Sequence, residues 1–133
     1  MTVLVDTNVV LDIVTNDQVW KPWSLDKLNR LAITDKLAIN DVIFAELAPG
    51  FSKFEDVDDL VDDMGLEFRP LPRGALFLAG KVHQQYRQKP GAKEGVLPDF
   101  FIGAQAAIEG LTLLTRDTRR FRSYFPSLEL ITP

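Results

Sequence analysis

The chain has 133 residues, 46% hydrophobic and 26% charged, which suits one folded domain with one core and fits neither disorder nor a fibrous repeat. Cysteine is absent, which excludes a disulfide scaffold, a thiolate zinc site and a Cys nucleophile, and fits a reducing, cytoplasmic setting. No apolar run approaches the ~20 residues that span a bilayer, and the N-terminal segment meets a charge at Asp6, so the chain reads as soluble, without a visible address. The net charge of -4 weighs against a polyanionic partner, but it conceals a division. Residues 1–68 hold 14 acids and 5 bases, a net of -9, whereas residues 69–133 hold 5 acids and 10 bases, a net of +5.

Thr2 to Val5 is too short for a helix and reads as a buried strand. Asp6-Thr7-Asn8 turns the chain into a short helix with Val10, Ile13 and Val14 on one face. Ser24 is a good N-cap for a helix carrying Leu25, Leu28, Leu31 and Ala32, with Trp23 placed to staple its start. Leu37 to Ile39 is a second strand, Asn40-Asp41 a turn and cap, and Val42 to Leu47 a helix stopping near Pro49-Gly50. Ser52 with Glu55 forms a capping box before an amphipathic helix through Val57, Leu60, Val61 and Met64, ended by Gly65. Leu66 to Leu71 is a strand that Pro70 confines to an edge or an end. A longer helical pattern runs through Leu76, Ala79, Val82, His83 and Tyr86, then a loop from Lys89 to Gly95, and Pro98 opens a helix that Gly110 stops. Leu111 to Leu114, a short helix at Phe121 and a strand from Leu128 to Ile131 complete the chain. Helices alternating with fully apolar strands predict a parallel sheet covered on both faces, with the site at the strands' C-terminal ends.

Asp6 and Asp117 fall at strand ends, and Glu46 and Asp99 within nearby helices. Singly, each has a bland role as cap, turn former or surface charge. Jointly, acids embedded among apolar neighbours must be paired or hold metal, and no Lys or Arg stands beside Asp6 at its strand end. A hard cation, Mg2+ or Mn2+, is the natural counter-charge for such an all-oxygen set.

Val-Asp-Thr-Asn at 5–8, Ala-Glu-Leu at 45–47, Pro-Asp-Phe-Phe-Ile-Gly-Ala-Gln-Ala at 98–106 and Leu-Leu-Thr-Arg-Asp at 113–117, followed by Phe121, resemble the PIN-domain nucleases. The chain is most similar to the VapC-type toxins of type II toxin–antitoxin pairs, and the likeness spans nearly all of it. The resemblance implies a three-layer α/β/α sandwich with a five-stranded parallel sheet, one domain over 1–133, and a Mg2+- or Mn2+-dependent endoribonuclease. Asp6, Glu46, Asp99 and Asp117 match the family's acidic quartet as catalytic and metal-binding residues, with Asn8 and Thr115 in support. It further implies an RNA substrate, a VapB-type antitoxin and a homodimer. Phe100 and Phe101 stand where smaller or aliphatic residues are common, Gly103 replaces a usual Ala, and Gly91-Ala92-Lys93 is an atypical form of the loop before Asp99.

Metal-assisted phosphodiester hydrolysis needs no histidine, and the lone His83, beside a buried helical face, is assigned a structural role. Arg116, Arg119 and Lys93 are candidate contacts to RNA phosphates; Arg120 and Arg122 fit a solvated helix face equally well. Trp20 and Trp23 are assigned to capping and core packing rather than to base stacking. Two alternatives stand beside the nuclease. One is another Mg2+-dependent phosphoryl-transfer domain, disfavoured because Asn8 breaks an Asp-x-Asp pattern. The other is a PIN-like protein-binding module without turnover, disfavoured by the intact quartet.

Overall fold

A computed structural model describes the whole chain, Met1 to Pro133. Strands β1 (Thr2–Val5), β2 (Lys36–Ile39), β3 (Leu66–Phe68), β4 (Thr112–Leu114) and β5 (Leu130–Ile131) form one all-parallel sheet in the order β3-β2-β1-β4-β5. Successive side chains of a strand face opposite ways, yet Val3, Leu4 and Val5 are all fully buried, so helices cover both faces and the sandwich has three layers. The helices are α1 (Thr7–Val14), α2 (Lys21–Thr34), α3 (Asp41–Leu47), α4 (Phe54–Asp63), α5 (Arg73–Arg87), α6 (Leu97–Glu109) and α7 (Arg119–Tyr124), with a 3-10 turn at Ala48–Gly50. None is long and apolar enough to cross a membrane.

The chain builds β1, β2 and β3 outward in one direction and then returns to lay β4 on the other side of β1. The reversal opens a crevice between the C-terminal ends of β1 and β4, where connections leave in opposite directions. Thr2, Val3 and Leu4 lie opposite Lys36, Leu37 and Ala38, while Val3, Leu4 and Val5 lie opposite Thr112, Leu113 and Leu114. The Asp6 N–H continues the second ladder by donating to the Leu114 carbonyl at 2.9 Å, which brings the first residue beyond β1 to the exit of β4.

Two caps differ from the sequence expectation. Ser24 lies inside α2, fully buried, because the chain already turns at Asp17, whose Oδ1 accepts from the backbone N–H groups of Val19 and Trp20 at 2.9 and 2.8 Å. Those bonds hold the Asp17 carboxyl below its usual range. The Ser52–Glu55 box does not form either: α4 starts at Phe54 with Lys53 at its cap position and no side-chain capping bond. Its interior matches expectation, with Val57 and Val61 buried, most of the acidic residues solvent-facing, and Gly65 in the left-handed conformation just beyond. The third strand is only three residues long and lies at the sheet edge, as Pro70 requires, and β5 is shorter than its apolar run.

The departures in α6 have a packing cause. Phe100 is fully buried, its ring 5.3–5.6 Å from those of Tyr124, Tyr86 and His83, and 6.3 Å from that of Phe125. Gly103 faces the same Phe125, whose ring carbons stand 2.5 Å from where a Cβ would be, so the aromatic side chain occupies the space an alanine would need. Two residues further, fully buried Gln105 accepts from the Asn40 side-chain amide at 2.9 Å and donates to the carbonyls of Arg69 and Pro70 at 3.2 Å each. Asn40 in turn caps α3 through the Ile43 N–H. This satisfied polar cluster fixes α3 and α6, the carriers of Glu46 and Asp99, against the ends of β2 and β3.

Candidate active site

Asp6 is the hub of the crevice. It ends β1, caps α1 by accepting from the Thr7 N–H at 2.7 Å, and is only 4% exposed. Its other oxygen accepts from the Thr115 hydroxyl at 2.7 Å and the Asn8 amide at 3.3 Å. Asn8 also accepts from the Arg116 N–H at 3.2 Å, and Thr115 Oγ1 accepts from the Asp117 N–H at 3.0 Å. Asn8 and Thr115 therefore support the acids, Thr115 tying Asp6 to the turn that carries Asp117. Burial pushes the Asp6 carboxyl up to about 7, with the nearby charges of Asp99 and Glu46 adding to the rise and the bonds from Thr115 and Thr7 opposing it.

Glu46 reaches the crevice from the end of α3, where its Oε1 accepts from the Thr7 hydroxyl at 2.6 Å. Asp99, in the first turn of α6, is half-buried; burial raises its carboxyl above the ordinary range, Arg120 opposes the rise, and Asp117 adds to it. Arg120 Nη1 donates to Asp99 Oδ2 and lies 3.9 Å from Asp117 Oδ2. The electrostatics thus links all four predicted acids in one neighbourhood.

The donor set suits a hard divalent cation: it is all oxygen, and buried Asp6 is met only by neutral donors. The carboxylates are nevertheless spread, and no three of them gather closely enough as they stand to hold one ion. Their partners explain the spread, since Thr7 holds Glu46 while Arg120 holds Asp99 and approaches Asp117.

A family model described as PIN domain matches residues 3–124. The chain belongs to the PIN-domain family. Its whole length aligns with 99% of a chain in the structure of VapBC2 from Rickettsia felis bound to a promoter DNA fragment, at 25% identity and a TM-score of 0.75. The fold is shared with a DNA-bound VapBC from Salmonella typhimurium (19% identity, TM-score 0.70, 99% of this chain and 98% of that one). It is shared likewise with a toxin–antitoxin complex from Klebsiella pneumoniae (21% identity, TM-score 0.68, 98% and 97%). No curated protein matches.

Within this PIN domain the basic residues are placed differently from one another. Arg116 is not a free phosphate contact: its Nε and Nη2 donate to the two oxygens of Asp12 at 2.8 and 3.0 Å, and its guanidinium lies 4.9 Å from the Trp20 ring centre. Asp12 Oδ2 also accepts from the Ser24 hydroxyl at 2.6 Å, so the acid, 2% exposed, is fully partnered. Arg119 is exposed and lines a pocket of about 330 Å³ with Tyr86, Asp117, Arg120, Ser123 and Tyr124. Lys93 is exposed on the loop before α6, where its N–H donates to Tyr86 Oη at 2.8 Å. Arg120, as compatible with a solvated face as with a contact, points into the acidic crevice instead. The sequence reading passed over Asp12 and Thr7. A charge one turn beyond Asn8, in a helix otherwise as apolar as Val9-Val10-Leu11-Asp12-Ile13-Val14, was the available signal for the first.

Proposed function

We propose that this PIN domain is a Mg2+- or Mn2+-dependent endoribonuclease and the toxin of a type II toxin–antitoxin pair. The observation that carries the reading is the buried carboxylate of Asp6 at the switch point between β1 and β4, surrounded by Glu46, Asp99 and Asp117 with neutral donors around it. Asp6 and Asp99 are the principal metal ligands in this reading, Asp117 a direct or water-mediated one, and Glu46 binds a second ion or orients the attacking water. The bound metal supplies an activated water and neutralises charge on the phosphoryl oxygens. Asn8 and Thr115 fix the orientation of Asp6 from two sides. Thr115 and Asn8 both donate to Asp6 Oδ2, so the open lone pair lies on Oδ1, which accepts only from the Thr7 N–H. Arg119 and Lys93 provide positive charge at the rim for RNA phosphates.

The structural neighbours are VapBC and toxin–antitoxin complexes, which supports a VapB-type antitoxin as partner. A homodimer is part of the same proposal and is checked by light scattering. The deciding experiment incubates the purified chain with total RNA in Mg2+ or Mn2+ and in excess chelator. Cleavage is expected only with metal, and Asp6→Asn and Asp99→Asn variants with native circular dichroism are expected to lose it by several orders of magnitude. Wild-type cleavage by folded Asp6→Asn would sink the assignment.

A further inference from the structure

Four carboxylates face one crevice, and a single cation of the chain reaches them. Arg120 stands three residues after Asp117, with α7 beginning between the two, so a helical spacing returns its side chain over Asp117, while its length carries Nη1 on to Asp99 in the first turn of α6. The contact is enclosed: the side chains of Arg120 and Asp99 are 24% and 28% exposed. Neither Asp6 nor Glu46 bonds to any Lys or Arg, so the guanidinium neutralises one end of the acidic set and leaves the other uncompensated. A divalent ion is more compact and doubly charged, and it serves both ends at once.

The pocket lined by Tyr86, Arg119, Ser123 and Tyr124 opens directly beside Asp117 and Arg120. A guanidinium displaced from Asp99 has that space to enter, next to exposed Arg119. Two guanidinium groups side by side repel one another unless an anion lies between them, and a phosphate's oxygens match their planar donor pairs.

We propose that Arg120 is the resident counter-cation of the metal-free crevice, that a divalent cation displaces it from Asp99 and Asp117, and that the released guanidinium then takes a phosphate of the RNA substrate together with Arg119. This rests on the nuclease reading above and adds to it a residue whose partner changes from carboxylate to phosphate as metal arrives.

The test uses the intact chain as wild type, Arg120→Gln, Arg120→Lys and Asp99→Asn, and reads binding rather than turnover. In calorimetric titration with Mn2+, Arg120→Gln is expected to bind about tenfold more tightly than wild type, because the competing charge is gone. Arg120→Lys, which keeps a charge, stays near wild type, and Asp99→Asn loses most of the affinity. Binding of an uncleavable 2′-O-methyl RNA oligonucleotide is then followed by fluorescence anisotropy. Arg120→Gln is expected to bind it about fivefold more weakly than wild type in saturating Mn2+ and equally well in chelator. If Arg120→Gln does not fold, Arg120→Met, which keeps most of the aliphatic stem, takes its place.

Mn2+ affinity that is unchanged or lower in Arg120→Gln overturns the exchange, as does an RNA defect equally large with and without metal. A wild-type chain that takes up no Mn2+ brings down the metal reading together with the exchange. A chain that binds Mn2+ but shows no Arg120 effect loses the exchange alone.

Discussion

At the residue scale, Asp6 couples the crevice to pH. In the unfolded chain its carboxyl titrates near the ordinary aspartate value of 3.8, and in the fold burial and the neighbouring acids raise it to about 7. Between those values the native state binds the proton and the unfolded state has lost it, so unfolding releases a proton and native stability falls as pH rises. With metal chelated, the urea midpoint is expected to drop from about pH 4 to about pH 7, and Asp6→Asn is expected to flatten that part of the profile. A wild-type midpoint that climbs over the same range would contradict the protonated native Asp6. Asp12 makes the opposite case, since its ion pair with Arg116 is already complete. Removing Arg116 strands the buried charge of Asp12, so Arg116→Met alone is expected to cost about 3–5 kcal/mol in chemical denaturation. Removing both charges in Asp12→Leu with Arg116→Met should recover much of it.

At the scale of elements, what the sequence makes legible is what lies within one or two turns of itself. The short apolar strands, the acid that follows β1 and caps α1, the amphipathic face of α4 and the stop at Gly110 are all local patterns, and they appear in the fold. Ser24 shows where locality fails. A lone serine before leucines reads as a cap, yet Asp17 has already turned the chain and the hydroxyl serves Asp12 on another helix. Arg116 and Arg120 are equally basic and close together in sequence, but their partners are 104 and 21 residues away, so nothing in the run Arg-Asp-Thr-Arg-Arg tells one from the other. That the four acids lie near one another was legible because Asp6 and Asp117 follow strand ends and Asp99 opens a helix; the spread of their carboxylates was not, because hydrogen bonds with Thr7 and Arg120 decide it. Gly103 is the clearest packing test at this scale. Gly103→Ala gains helix propensity but drives a methyl into the Phe125 ring, and a net loss of about 1–3 kcal/mol is expected from urea denaturation. Pairing it with Phe125→Leu should relieve most of that loss.

At the scale of the molecule, the division of charge along the sequence becomes a division in space. Acids of the first half are concentrated along the exposed side of α4, and bases of the second half cluster around α7 and the loop before α6, beside the crevice. Total charge therefore says little about whether a polyanion can approach. The proposed metal site carries a stability prediction: an ion that binds the folded crevice and not the unfolded chain would stabilise the fold by about 3 kcal/mol at a hundredfold excess over its Kd. A melting temperature several degrees higher in saturating Mn2+ than in chelator is expected, and one indifferent to Mg2+ and Mn2+ alike would contradict a metal site.

The clamp on Arg116 gives the molecule an optical property. Trp20 lies under that guanidinium, and Arg116 sits between Thr115 and Asp117, so the indole is coupled through one side chain to the turn carrying two residues of the crevice. The chain's other indole, Trp23, meets it edge-on with ring centres 6.3 Å apart. Emission from this pair therefore reports on the exit of β4 without any added label, and Trp23→Phe leaves Trp20 as the only indole looking at it.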